Sequence, residues 1–154
     1  MSGPGAGTDR CWALSIRVAG PDDWAEWRDL RLGALRDAPQ AFSATLADWA
    51  DAPEQRWRDR LAGTHNVIVD ADGRAVGMAT GFPRGDAVEL GTMWVAPHAR
   101  RRGVGEALVR AILAWAEPRP VTLQVAAGNR EATSLYRRLG FTGDGRLFSA
   151  GLPG

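Results

Sequence analysis

The dipeptide Asp72-Gly73 sits between two runs of strand-like residues, 65–71 and 74–82. Asp-Gly supplies the positive φ angles of a two-residue hairpin, so these runs must pair antiparallel. A third such run, 87–95 (AVELGTMWV), follows across a turn around Pro83 to Asp86 and is expected to pair antiparallel with its predecessor. Helical patterns surround this meander. Trp24, Trp27, Leu30, Ala34 and Leu35 share one arc of a helix from about Asp22 to Arg36, with Asp22 as its cap and Arg31 inside the arc. A second helical region comes in two pieces. The later piece opens with Asp51 and Glu54 at capping-box spacing around Pro53, places Trp57 and Leu61 one turn apart, and closes at Gly63. Val104, Leu108, Ile112 and Trp115 predict a helix over 103–117, stopped by Pro118 and Pro120. A strand over 121–125 and a helix over 130–139, ended by Gly140, complete the pattern, with a strand over 12–19 at the start. Strands and helices are thus interspersed along the chain.

The 154 residues suffice for one domain, expected over 11–154, with 1–10 as a disordered extension. No apolar run approaches the ~18 residues that a bilayer span needs, and the first residues lack a basic segment followed by an apolar core. A cytoplasmic protein without membrane association is therefore expected. Cys11 is alone and only His65 and His98 accompany it, which argues against an internal disulfide and against a cysteine–histidine metal centre; a carboxylate-bound metal has no motif here, though composition leaves it open, and no metal is expected. His98 reads as a surface loop residue. All 19 basic residues are arginine. Without lysine there is no Walker P-loop and no pyridoxal Schiff base, and G-x-S-x-G is absent too. Residues 1–77 carry 9 Arg against 12 Asp and Glu, net −3, and residues 78–154 carry 10 against 6, net +4. This favours anion binding in the second half. The overall balance of +1 makes no case for DNA.

The chemistry concentrates in V-A-P-H-A-R-R-R-G-V-G, 95–105, between a strand and a helix. Two glycines let main-chain N–H groups converge on an anion, the helix adds its positive end, and Arg100, Arg101 and Arg102 bring charge to the rim. The loop reads as a phosphate cradle, or as a purely structural turn. It is not a dinucleotide fingerprint, because Leu108 occupies the third glycine position.

In context, R-x-x-G-x-G (Arg100, Gly103, Gly105), preceded by V-x-P (Val95, Pro97) and followed by N-x-x-A-x-x-L-Y-x-x-x-G-F (129–141), resembles the GNAT acyltransferase superfamily. The strong part covers 87–141, and the element order fits the family over nearly the whole chain. The resemblance implies an α+β fold with a mixed, largely antiparallel sheet, flanked by helices and splayed between strand 87–95 and strand 121–125, with acetyl-CoA in the split. It implies that the main chain of Met93, Trp94 and Val95 pairs with the pantetheine arm. It further implies that Arg101, Arg102, Gly103, Val104, Gly105 and Glu106 wrap the pyrophosphate, with Arg100 heading the motif, and that Asn129 contacts pantetheine. Asn129 also suits the cap of its helix, and both roles are compatible.

The implied reaction is transfer of an acetyl group to a primary amine, by direct attack in a ternary complex. A lysine-like amine with pKa about 10.4 costs about 4 to 5 kcal/mol to present neutral at pH 7, so a base is expected. In the histone-acetylating branch the catalytic glutamate stands eleven residues before the position of Arg100, where this chain has Glu89. Glu89 is thus the expected base, directly or through water, against a reading as an exposed strand-end carboxylate or arginine partner. The ribosomal-protein branch keeps its base five residues before the asparagine, where Gln124 stands here and cannot serve. Tyr136, the single tyrosine, matches the family's general acid, against a reading as a core aromatic. Gly91 marks a bulge that opens the strands, or it accommodates a packed neighbour.

The two early helical regions wall the acceptor site in the family. Arg31 among their apolar residues binds an acceptor carboxylate, or it snorkels or pairs. The acceptor is expected to be a small molecule or a peptide. Other readings are a non-catalytic acyl-CoA sensor, acetylation of aminoacyl-tRNA, and transfer to a hydroxyl. The final strand is short, 146–150, where family members usually have a longer one, and a free edge there suggests a homodimer.

Overall fold

The computed structural model describes residues 13–39, 46–125, 129–143 and 147–150. Cys11, the extension expected over 1–10 and the first residue of the first expected strand lie outside them. The strands are β1 (Leu14–Ala19), β2 (His65–Ala71), β3 (Arg74–Arg84), β4 (Ala87–Val95), β5 (Val121–Gln124), β6 (Thr142–Gly143) and β7 (Leu147–Ala150). They form one sheet in the order β1-β2-β3-β4-β5-β7-β6. The helices are α1 (Trp24–Asp37), α2 (Leu46–Trp49), α3 (Glu54–Ala62), α4 (Val104–Ala116) and α5 (Arg130–Arg138). β2 and β3 meet at the expected Asp72-Gly73 turn, where both residues have positive φ, 53° and 81°.

Alternation along the strands divides the apolar side chains between two faces. Val67, Val69 and Ala71 of β2 pack with Val76 and Ala79 of β3, Val88 and Leu90 of β4, and Leu108, Val109 and Ile112 of α4. Ile68 and Met78 point the other way, onto Trp27, Leu32 and Ala34 of α1 and Trp57 and Leu61 of α3. One face therefore carries α4 and α5 and the other carries α1 and α3. Close approach on the first face demands glycine: a Cβ on Gly77 would come 2.7 Å from Val104 Cγ1, and one on Gly81 would come 2.6 Å from the Trp115 ring.

β4 and β5 run parallel, the one parallel pairing among the described residues in an otherwise antiparallel sheet. They pair only at Val88↔Val121 and Glu89↔Thr122. Beyond these positions the two strands diverge, and the sheet is split from Leu90 to Val95. This is the expected splay.

Four local expectations are corrected. Asp22 does not cap α1: the chain enters through a 3-10 turn at 21–23, Asp23 accepts from the Gly20 N–H at 2.9 Å, and Asp22 pairs with Arg58. Asp51 does not cap α3; Pro53 holds that position in extended geometry. The bulge in β4 is not at Gly91, which pairs with Thr80. Thr92 and Met93 together oppose Ala79, and a Cβ on Gly91 would come 2.8 Å from the Phe82 ring, so its glycine serves packing. The final strand is not an edge. β7 lies between β5 and β6, which removes the stated ground for a homodimer.

Candidate active site

The split is bordered by β4 on one side, with the α4 N-terminus and α5 across it. The chain turns sharply on its way from β4 to α4. Arg101 has φ 65° and Gly103 has φ 85°, both in the left-handed region, which glycine enters freely and arginine does not. Among the described residues no side chain caps α4, and its first main-chain bond runs from the Ala107 N–H to the Gly103 carbonyl at 3.0 Å. The N–H groups of Val104, Gly105 and Glu106 thus have no acceptor within the helix and face outward at its positive end. Gly105 brings this turn against the split: a Cβ there would lie 3.3 Å from both Met93 Cε and Leu135 Cδ2. Open donors, a turn held by backbone conformation and an unpaired strand edge suit an extended ligand ending in a diphosphate.

The side chains around this turn are committed in varied ways. Arg100 does not reach over the turn; its Nε donates to the Val95 carbonyl at 3.0 Å and its Nη2 to Asp37 at 2.7 Å. Asp37, the last residue of α1, also accepts from Trp94 Nε1 at 2.9 Å. The Trp94 bond, and then the Arg100 bond, hold its carboxyl below the usual carboxylate range. The arginine expected to head the anion site is therefore a strut that ties α1 to the end of β4, and nothing in the motif signalled Asp37 as its anchor. Trp94 spends its indole on the same strut, which leaves its main chain for the role expected of it. Arg101 pairs with Glu131 of α5 at 2.8 Å in full exposure, and Arg102 is half-buried beside Gly103. Val104 is buried in the core, so only its main chain borders the turn. Glu106 bridges Arg110 at 2.9 Å and Arg138 at 3.3 Å, fastening α4 to α5. Asn129 accepts from the Ala132 N–H at 3.0 Å, capping α5. With Arg130, Thr133, Ser134 and Arg137 it lines an open depression of about 330 Å³.

Tyr136 lies on the α4–α5 face, 7% exposed, edge-on to Phe141 at 5.6 Å. Its hydroxyl donates to the Met93 sulfur at 3.5 Å, so it faces β4 across the split. Burial pushes its pKa up to about 12, which keeps the proton on the oxygen at neutral pH. Glu89 occupies the last β4 position that pairs with β5, at the root of the split. Its neighbours Val88 and Leu90 point into the α4 core, so its side chain projects on the opposite face, where it accepts from Arg84 Nε at 3.2 Å. The carboxylate and the phenol thus approach the split from opposite faces of the sheet.

On the face that carries Glu89, two residues escaped the sequence. Thr92 adopts φ 54° at the bulge, a conformation costly for a β-branched residue, and its hydroxyl accepts from Arg60 Nη2 at 2.9 Å. Arg60 lies over the Phe82 ring at 4.7 Å. Unlike Arg31, which falls inside the apolar arc of α1, Arg60 flanks the arc that Trp57 and Leu61 form on α3. Arg31 is 7% exposed. Among the described residues no group of three or more His, Cys, Asp or Glu side chains could hold a metal ion, and no helix is long and apolar enough to cross a membrane.

The chain was compared with known proteins. Residues 24–141 match the model of the acetyltransferase (GNAT) family. Mycothiol acetyltransferase of Pseudarthrobacter chlorophenolicus is 36% identical over 140 residues, 84% of this chain and 42% of that protein, so the chain spans less than half the length of that relative. Aminoglycoside N(6')-acetyltransferase type 1 of Stenotrophomonas maltophilia is 29% identical over 153 residues, 92% of this chain and 94% of that one. The structure of the PaiA N-acetyltransferase of Thermoplasma acidophilum in complex with coenzyme A superposes with a TM-score of 0.71, covering 90% of this chain and 98% of that one at 14% identity, which shows the shared fold. The splayed sheet, the glycine turn before α4 and the matched family model agree: this chain belongs to the GNAT acetyltransferase family.

Proposed function

We propose that this protein is an acetyl-CoA-dependent N-acetyltransferase that acetylates a primary amine of a small molecule by direct transfer. The observation that carries this reading is the divergence of β4 from β5 after Glu89 and Thr122, with the uncapped α4 turn beside it. Trp94 and Val95 pair with β3, and the β5 side of Met93, Trp94 and Val95 has no partner strand among the described residues. Main-chain groups open on that side, the Val95 carbonyl already held by Arg100 excepted, suit the amides of a pantetheine arm, much as an added strand would. The N–H groups at 104–106 suit its diphosphate, and the basic depression beside Asn129 suits further phosphate charge. The matched relatives are named for acetylation of mycothiol and of an aminoglycoside, which favours a small acceptor over a peptide.

Acetyl-CoA supplies an acyl group activated as a thioester. Glu89 takes the proton of the incoming amine, directly or through water, and the hydrogen bond from the Arg84 guanidinium holds that carboxylate in place. Tyr136, opposite, donates a hydrogen bond where the departing sulfur gathers charge. Full proton transfer is uphill, since a phenol at about 12 and a thiol near 8.5 differ by about 5 kcal/mol, so the hydrogen bond is the working interaction. The Met93 sulfur, which now accepts from this hydroxyl, marks where the ligand's sulfur competes for it.

Calorimetry with acetyl-CoA, followed by an amine-panel assay for thiol release with mass detection of the product, tests the reading. Binding and acetylation of an amine are expected. Tight binding with silence across the panel would make the protein an acyl-CoA sensor, and no heat at all would discard the reading.

A further inference from the structure

Arg31 of α1 and Arg60 of α3 bring two guanidinium groups to the α1–α3 face, within reach of each other's charge. Arg31 is buried among the apolar residues of its helix, with Trp27 and Ala34 beside it in the core. Arg60 is half-buried and reachable from outside. Its named contacts are neutral: the Thr64 hydroxyl at 3.3 Å, the Thr92 hydroxyl at 2.9 Å and the face of Phe82 at 4.7 Å. Burial lowers both arginines to about 10, and in Arg60 the charge of Arg31 adds to the effect. Both remain cationic at pH 7, so this face brings two like charges near each other, and an anion seated at the accessible Arg60 would be attracted by both.

The position of the pair gives the anion a purpose. Arg60 is hydrogen-bonded to Thr92 at the β4 bulge and stacked on Phe82, whose cross-strand partner is Glu89. Cation and expected base therefore flank one ring on one face. An amine held at Glu89 would carry its remaining atoms across Phe82 toward the guanidinium groups. Arginine presents a planar fork that matches a carboxylate. We infer that Arg31 and Arg60 form a carboxylate-binding subsite, and that the acceptor is an amine bearing a free carboxylate, of the amino-acid class. This deepens the acetyltransferase reading and rests on it for the identity of the reactive group.

The test pairs amino acids with their own primary amides as acceptors, with phosphoethanolamine as a phosphate-bearing control, in the wild type, Arg60→Gln and Arg60→Lys. The free acids should exceed their amides and phosphoethanolamine by at least about tenfold in kcat/KM. Arg60→Gln should erase that margin through the acceptor KM, leaving the KM for acetyl-CoA in place, and Arg60→Lys should keep part of it. Amides or phosphoethanolamine used as well as the acids, or an acid preference that survives Arg60→Gln, overturns the inference. Calorimetry of the same acids without acetyl-CoA separates the two readings. Acid binding that Arg60→Gln abolishes supports the subsite even where acetyl-CoA does not bind, and no heat with any acid overturns it.

Discussion

On the α4–α5 face the groups that suit the cofactor are mostly main chain: N–H donors at 104–106, the open edge of β4, and a turn shaped by positive φ at Arg101 and Gly103. On the α1–α3 face the groups that suit the acceptor are side chains from four elements: Arg31 from α1, Arg60 from α3, Phe82 from β3, and Glu89 and Thr92 from β4. The two faces solve different problems. A ligand common to a whole family can be held by backbone, which tolerates drift in the side chains around it. An acceptor that distinguishes one member from another needs side chains, and these change one residue at a time without disturbing the turn.

The predictions strike the two faces unequally. The largest effect belongs to the groups that meet at the split. Tyr136→Phe and Glu89→Gln should each lower kcat by about 100-fold or more while leaving acetyl-CoA affinity within about threefold, read by steady-state thiol release and calorimetry. Unchanged turnover in both would remove the opposed acid and base from the account.

Next in size is the turn itself. A Cβ on Gly103 would meet nothing within 4 Å, so Gly103→Val strains the backbone and leaves the packing alone. About 1 to 2 kcal/mol of strain corresponds to an acetyl-CoA Kd raised about tenfold, with acceptor preference intact. A shift in preference instead would mean that the faces are not separable.

The strut between the faces should give a smaller change. Asp37→Asn weakens the anchor shared by Trp94 and Arg100, and only a small loss is expected from so exposed a cluster. Both KM values should rise by less than about threefold, together, because α1 belongs to one face and the end of β4 to the other. A rise in only one would show that the strut does not couple them.

The smallest effect concerns stability and pH. His65 stacks on Trp115 at 4.3 Å, and burial, then Arg119, holds its pKa below the ordinary histidine value. Below about pH 6.5 the unfolded chain takes up a proton that the folded one resists, so its contribution to stability is present above that pH and is lost as pH falls. Tm should decline more from pH 7.5 to 5.5 in the wild type than in His65→Gln. Equal declines would assign acid sensitivity to other groups.

The faces also differ in how far they could be read in advance. The strands 65–71 and 87–95 stand where alternation and the Asp-Gly turn put them. The α4 turn was recognisable because its requirement is local: glycine where φ is positive, then a helix. Arg100 shows the limit, since its motif position says nothing of the Asp37 carboxylate 63 residues away that accepts its hydrogen bond. Thr92 gave no signal at all, because a β-branched residue is a poor choice for positive φ and only the neighbouring strand and Arg60 hold it there. Arg60 also escaped the reasoning that singled out Arg31, because it flanks the Trp57–Leu61 arc of its helix and does not lie inside it.

What the order of residues decided by itself is the set of elements, the antiparallel meander and the glycine turn at the head of α4, because each follows from the torsional preferences and periodicity of neighbours along the chain. What only the tertiary structure decided is which strand β4 leaves after Glu89, which face each charged group takes, and that two arginines from separate helices come within reach of each other's charge. Those depend on sheet register and helix docking, where a shift of one residue sends a side chain to the other face, and no local preference records that choice.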